Sequence, residues 1–132
     1  MRNQSPYIVL FLLLGFIFTS SCDIYKAPDV DEFNEDIAGR ISIKSPEDLV
    51  KYYYFGDEKY SKPGVTVNHE QKKQGLYQIY LYDLNLKDRL VKARRVSMLA
   101  HKIEDSWIVY EINESVKCSN SESDEWQTES CR

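Results

Sequence analysis

The sequence predicts an α+β fold in which an N-terminal helix packs on a curved antiparallel β-sheet. Residues 45–56 read SPEDLVKYYYFG, which carries the start and stop signals of a short helix. Residues 76–84 and 106–113 read LYQIYLYDL and SWIVYEIN, in which aromatic and β-branched residues alternate with their neighbours as in half-buried strands. A helix followed by consecutive strands is typical of α+β domains.

The helix of residues 45–56 is predicted from both of its ends. Ser45 can accept a hydrogen bond from an orphan N–H of the first turn, and Pro46 at the first helical position has no N–H to leave unpaired. Glu47 and Asp48 complement the positive end of the helix dipole, and a glycine at the far end stops the helix. The predicted buried stripe consists of Leu49, Val50, Tyr53 and Tyr54.

The strands are predicted to form an antiparallel meander, with a further short strand indicated at residues 65–67. In residues 76–84, Tyr77, Ile79 and Leu81 share one face. Residues 89–102 suit either a strand or an amphipathic helix. We favour the strand because the next segment supplies its hairpin partner.

The predicted partner is reached through a turn at residues 104–106. Beyond it, Ile108, Tyr110 and Ile112 are expected on one face of the last strand, with Trp107, Val109 and Glu111 on the other. The chain has 10 tyrosines in 132 residues. Their rings are expected either to cover a small core, with their hydroxyls in water, or to line a pocket or a protein-binding face.

The N-terminus has the three parts of a secretory signal peptide. Arg2 supplies a positive charge, and residues 7–18 are almost entirely apolar, a run shorter than the roughly twenty residues that span a membrane. Small residues at positions 19–21 then precede Cys22. We therefore predict that residues 1–21 are a removed signal peptide and that the protein is exported.

Residues 18–22, FTSSC, resemble the lipobox of bacterial lipoproteins, in which a cysteine becomes the acylated first residue of the mature chain. The resemblance implies a lipid anchor at Cys22, with the bilayer as a partner. In enteric lipoproteins an Asp in the next position is associated with retention in the inner membrane, so Asp23 implies an inner-membrane protein that faces the periplasm. An ordinary signal peptide cut among the same small residues is the alternative.

The other two cysteines are predicted to form a disulfide. The chain has three cysteines, and lipidation of Cys22 would leave Cys118 and Cys131 as an even pair. An oxidising compartment favours a bond between them, which would close a C-terminal loop with Trp126 packed against the sheet. Two free thiols are the alternative. A metal site is not expected, because no further ligands lie at a suitable spacing.

The mature chain is predicted to contain a tether and one small domain. Residues 22–36 are acidic and lack a sustained period, which predicts a tether, with an acidic recognition peptide as the alternative. Residues 37–132 then form a single domain. The segments SPEDLVKYYYFGD, LYQIYLYDL and MLAHKIEDSWIVYEI are together similar to the cystatin-like and nuclear-transport-factor-like superfamily, which implies a helix on a curved sheet.

No recognised catalytic or nucleotide-binding motif occurs in the chain, so we predict no catalytic residues and no cofactor. His69 and His101 lie outside any metal-binding spacing, and Asp83 and Asp88 flank a predicted turn, where Asp is common. The net charge is −4, and the tightest basic cluster is a candidate binding face for an acidic protein or an anionic envelope polymer, with a solvated strand face as the alternative. Its members are Lys87, Arg89, Lys92, Arg94 and Arg95.

These features favour a non-catalytic, membrane-tethered periplasmic module that binds an envelope protein or polymer and not nucleic acid. The first alternative is an inhibitor or immunity protein against a toxin or a cell-wall hydrolase, in which the acidic disulfide loop at residues 119–130 fills a basic cleft. The second alternative is a small enzyme that uses a cavity of the sheet.

Overall fold

The computed structural model describes residues 28–57 and 62–131. The predicted signal peptide, the lipidation site Cys22 and the adjacent Asp23 lie outside the described residues. The elements, in chain order, are α1 (Val30–Ile37), α2 (Pro46–Phe55), β1 (Val65–Lys73), β2 (Leu76–Asp83), β3 (Val91–Ile103) and β4 (Ser106–Cys118).

The structure confirms the α+β class. The four strands form one antiparallel sheet in the order β1-β2-β3-β4, so each strand pairs with the next along the chain. Both helices lie against one side of this sheet, α1 near β4 and α2 mainly over β2. The ambiguous segment before the last turn is strand β3, and the short strand expected at residues 65–67 extends to Lys73.

Helix α2 begins and ends where its signals predict. Ser45 Oγ accepts from Asp48 N at 3.1 Å, while Asp48 Oδ2 accepts from Ser45 N at 3.2 Å, which completes a capping box. Gly56 ends the helix with a φ of 74°, a conformation that favours glycine. Leu49 and Val50 are fully buried against the sheet.

The prediction of a tether through residue 36 was wrong for its last part, because residues 30–36 belong to α1. Asp29 caps this helix by accepting from Glu32 N at 3.1 Å. Phe33 and Ile37, four residues apart on one face, are both buried in the core. The folded domain therefore begins before Ile37.

A β-bulge changes the side-chain pattern of β4. Leu99 pairs with Glu111 but Ala100 pairs with Val109, so Tyr110 is an extra residue in the ladder. As a result Trp107, Val109 and Ile112 are all buried, whereas Ile108 is 40% and Tyr110 is 53% exposed. The prediction that Ile108, Tyr110 and Ile112 share a face was wrong for this reason.

The outer edge of β4 is covered at two points by other parts of the chain. Asn34 Nδ2 donates to Val109 O and Val109 N donates to Asn34 Oδ1, both at 2.8 Å, so an amide side chain replaces a neighbouring strand. Farther along, Val116 and Gln127 exchange two backbone hydrogen bonds of 2.8 and 2.9 Å. These contacts tie α1 and the C-terminal segment to the sheet.

The predicted Cys118–Cys131 disulfide is present, with an S–S distance of 1.99 Å and a Cα–Cα distance of 5.4 Å. Trp126 packs against the sheet as expected, with its ring centroid 6.0 Å from that of Tyr82. The indole also lies under two cations, the Arg95 guanidinium at 4.9 Å and Lys117 Nζ at 4.8 Å. The closed loop is thus anchored by its aromatic side chain as well as by its disulfide.

Candidate ligand-binding cavity

A cavity of about 270 Å³ lies where β2 ends, between α2, the start of β3, the end of β4 and the C-terminal segment. Its lining combines apolar side chains with charges of both signs. We name it the Arg94 cavity after its central cation. Its lining includes Tyr54, Leu90, Val96, Arg94, Glu114 and Glu129.

The disulfide positions one wall of the Arg94 cavity. Residues 127–131 line it, and they are held at one end by the backbone pair of Gln127 with Val116 and at the other by Cys131. Ser119 N, next to Cys118, donates to Leu90 O at 2.8 Å, so the loop before β3 is tied to the end of β4. The wall itself is fixed to β4 at both of its ends, through Val116 and through Cys118.

Next to the cavity lies the buried carboxylate of Asp83, which the sequence predicts to flank a turn. Asp83 ends β2 and is only 1% exposed, because it continues the inward phase of Ile79 and Leu81. Its Oδ2 accepts from Tyr54 Oη at 2.8 Å and from Lys62 Nζ at 2.9 Å. Strict alternation along β2 was the signal that could have identified this buried position.

The pKa shifts of this pair favour a charged Asp83 carboxylate and a protonated Tyr54 hydroxyl. Desolvation raises the pKa of Asp83, but hydrogen bonds from Lys62 and Tyr54 outweigh it and leave the pKa below its usual value. Burial and the hydrogen bond to Asp83 raise the pKa of Tyr54 well above its usual value. Asp83 Oδ1 makes no hydrogen bond of normal geometry within the part of the chain that the structure describes.

The arrangement is better suited to binding than to acid–base chemistry near neutral pH. A general acid or base works best with a pKa near the operating pH, and both groups are shifted away from it. The Tyr54 proton is also already engaged by Asp83. On the neighbouring strand pair, Tyr53 Oη donates to Glu114 Oε1 at 2.8 Å, which ties α2 to β4.

Two members of the predicted basic cluster line the cavity, and the guanidinium of one of them, Arg95, is engaged by Ser115 and Trp126. The other is Arg94. It lies opposite Asp83 in the β2–β3 register and lines the cavity beside Tyr54 and Glu114. Within residues 28–57 and 62–131, its guanidinium makes no hydrogen bond or ion pair. An available guanidinium at an apolar wall is a ready partner for a carboxylate or a phosphate.

No family model, no curated protein and no solved structure matches the chain. The candidate site therefore stands on its own geometry.

The five basic residues proposed as one binding face are distributed over different surfaces. Lys87 and Arg89 lie in the exposed loop before β3, and Lys92 Nζ is 3.4 Å from Asp124 Oδ1. Arg94 and Arg95 are consecutive on β3, so they point to opposite sides of the sheet. Arg95 donates to Ser115 Oγ at 3.0 Å and stacks on the loop tryptophan.

The two histidines lie on separate strands. The His69 ring on β1 is 6.0 Å from that of Tyr77, and His101 Nδ1 on β3 is 3.4 Å from Tyr110 Oη. Among the described residues, no group of three or more metal-ligating side chains is brought together. Within those same residues, no helix has the length and apolar character needed to cross a membrane.

Proposed function

We propose that the chain is a membrane-tethered periplasmic lipoprotein that acts as a non-catalytic binding module of the cell envelope, with the Arg94 cavity as its ligand site. The observation that carries the binding role is a cavity whose wall is closed by a disulfide and whose lining holds an unengaged guanidinium. The disulfide also supports export, because such bonds persist in oxidising compartments and are rare in the cytosol.

The proposal includes the anchor and its orientation. Acylated Cys22 holds the domain at the membrane, and Asp23 favours the inner membrane facing the periplasm. Confinement near the bilayer raises the effective concentration of the domain for partners in that layer. For the finer fold, we propose a cystatin-like or nuclear-transport-factor-like arrangement, which is supported by helices that precede a meander and pack on one side of it.

Metabolic labelling with an alkynyl fatty acid tests the anchor. Wild-type protein is expected to incorporate the label and to fractionate with membranes, whereas Cys22→Ser loses both properties. Cys118→Ser is the matched control, since it also removes one thiol but leaves the proposed acceptor in place. Recovery of full-length protein with Met1 in the cytosol would contradict the proposal.

Site-specific photo-crosslinking in the native envelope tests the binding role. A photoreactive residue at Leu90, in the lining of the cavity, is compared with one at Ile103, at the far end of β3. The two positions are 41% and 44% exposed, so they sample solvent equally. An adduct found by mass spectrometry at Leu90 alone supports the cavity as the site, and equal labelling at both positions contradicts it.

An inhibitor or immunity role is the second candidate, because the closed loop presents carboxylates. Asp124 is paired with Lys92 and Lys117, whereas Glu122 and Glu125 are exposed on the anchored loop. A photoreactive residue at Glu122 that captures a toxin or a hydrolase, with none captured at Leu90, would favour this function. A small enzyme is the third candidate, and the shifted pKa values of the Tyr54–Asp83 pair argue against that pair as its catalytic groups.

A further inference from the structure

The size and lining of the Arg94 cavity restrict the ligand to a small molecule with an apolar part. Its volume of about 270 Å³ is below the range of roughly 300–1,000 Å³ that is usual for drug-sized ligands. Leu90 and Val96 contribute branched apolar surface, and the Tyr54 ring closes one side. A molecule on the scale of an amino acid or a dipeptide suits this space.

The charges around the cavity restrict the ligand further. Arg94 is the available cation, since the Arg95 guanidinium is engaged by Ser115 and by the tryptophan on the other side of the sheet. Three carboxylates also line the cavity, on Asp88, Glu114 and Glu129. A simple anion would meet these carboxylates, and a simple cation would meet the guanidinium.

The three carboxylates differ in what they already bind. Asp88 Oδ1 accepts from the backbone N–H groups of Leu90 and Val91 at 2.8 and 3.2 Å, so its role is to shape the loop. Glu114 accepts from Tyr53 Oη at 2.8 Å. The Glu129 carboxylate makes no hydrogen bond or ion pair to any described residue, and only its backbone oxygen accepts, from Gln127 Nε2 at 3.2 Å.

We infer that the Arg94 cavity binds a small zwitterion with an apolar side chain, an amino acid or a short peptide, with its carboxylate on Arg94 and its ammonium at Glu129. This ligand class satisfies both signs of charge in the lining, and charge-assisted hydrogen bonds at each end fix its orientation. The inference deepens the proposed function and rests on the cavity being the ligand site.

Calorimetric titration of the detergent-solubilised mature protein tests the ligand class. Leucine and leucylglycine distinguish a free amino acid from a peptide. The matched analogues are 4-methylpentanoate, which lacks the ammonium of leucine, and 3-methylbutylamine, which lacks its carboxylate. We expect at least one zwitterion to bind, and each analogue to bind at least about tenfold more weakly, because one charge-assisted contact is lost.

Charge-neutral variants test the assigned ends of the ligand. Arg94→Gln is expected to weaken zwitterion binding about tenfold, and Glu129→Gln to weaken it by a similar factor, while the analogue without an ammonium is insensitive to Glu129→Gln. Arg89→Gln is the matched control because Arg89 is an exposed cation of the neighbouring loop, and it should leave the affinity unchanged. All three residues are exposed, so thermal melts should confirm unchanged folding.

The outcomes separate this inference from the function on which it rests. Equal binding of leucine and either analogue, or unchanged affinity in Arg94→Gln, would overturn the zwitterion assignment. If no zwitterion binds but the Leu90 photoprobe still yields a specific adduct, the inference fails and the binding module stands. If neither experiment gives a signal, both are wrong.

Discussion

At the outer edge of β4, two other parts of the chain take up backbone hydrogen bonds, whereas the outer edge of β1 meets no strand within the described residues. β1 instead carries charged side chains in its distal half, namely Glu70, Lys72 and Lys73. Unpaired sheet edges invite association, and charge on an edge strand discourages it. One edge is covered, and the other is protected by its charged side chains.

The Arg94 cavity lies at the covered edge of the sheet. Covering β4 with residues 127–131 places a second backbone layer beside the sheet, and the space below that layer is the Arg94 cavity. Within residues 28–57 and 62–131, β1 gains no such layer, because no further strand pairs with its outer edge. The covered edge is therefore the one at which the proposed binding site lies.

Removal of the disulfide is expected to have the largest effect on the covered edge. The bond closes a loop with a sequence separation of 13, for which chain-entropy models assign about 3 kcal/mol. Cys118→Ser with Cys131→Ser should lower the free energy of unfolding by about that amount. Urea denaturation measures it, and wild-type protein under a thiol reductant should behave in the same way. A loss below about 1 kcal/mol would mean that Trp126 and Gln127 hold the segment alone.

Asp83→Asn should have the next largest effect. It removes the ion-pair partner of Lys62, which lies three residues before β1 begins at Val65. Loss of one partner of a buried ion pair costs roughly 3–5 kcal/mol, and we expect about 2 kcal/mol here because Lys62 is 31% exposed and can be hydrated. Glu70→Gln, which breaks the exposed pair with Lys72, is the matched control and should change stability by less than about 0.5 kcal/mol.

The pH dependence of that effect follows from the sign of the pKa shift. The pKa of Asp83 is lowered in the folded state, so its stabilising contribution is present above the unfolded value of about 3.9 and is lost as the pH falls through the folded value. The difference in unfolding free energy between wild type and Asp83→Asn should therefore shrink between pH 5 and pH 2, to be measured by urea denaturation across that range. A constant difference would contradict the assigned ionisation.

Asn34→Ala should uncover the other end of the β4 edge. The N–H and C=O of Val109 would lose their shared amide partner, and an unsatisfied, partly buried group costs about 1 kcal/mol or more. We expect a loss of about 1–2 kcal/mol together with faster hydrogen exchange at Val109. Asn68→Ala on exposed β1 is the control, and it should leave both measurements unchanged.

Lys72→Val should have the smallest effect on stability and instead test the protection of β1. The residue is exposed on the edge strand, so the unfolding free energy should change by less than about 0.5 kcal/mol. Removal of the charge should promote edge-to-edge association, seen as a concentration-dependent shift in size-exclusion chromatography. Lys51→Val on α2 is the control, and if it associates to the same extent the edge is not responsible.

Features that depend on neighbouring residues in the chain were predictable. The capping box of α2, with its proline and its terminal glycine, is a local pattern, and the alternation of Ile79 and Leu81 identified β2 and its buried face. The cysteine count also predicted the disulfide. Each of these signals is complete within a few residues or depends only on residue identity.

The remaining features were decided by contacts between distant parts of the chain. α1 has only Phe33 and Ile37 as buried anchors in eight residues, too few to reveal a period, and it is held by Asn34 reaching a strand 75 residues away. The bulge at Tyr110 places Ile112 on the buried face with Trp107 and Val109, although the sequence alternates as an unbroken strand would.

The sequence alone determined the α+β class, the position of α2 and the cysteine pair, because capping, alternation and parity are local or compositional properties. Only the tertiary structure decided that Asp83 is a buried ion-pair partner and that Arg94, opposite it in the β2–β3 register, lines a cavity. The Arg94 cavity also depends on the tertiary structure, because its lining residues come from segments that are distant in the sequence and are brought together only by packing.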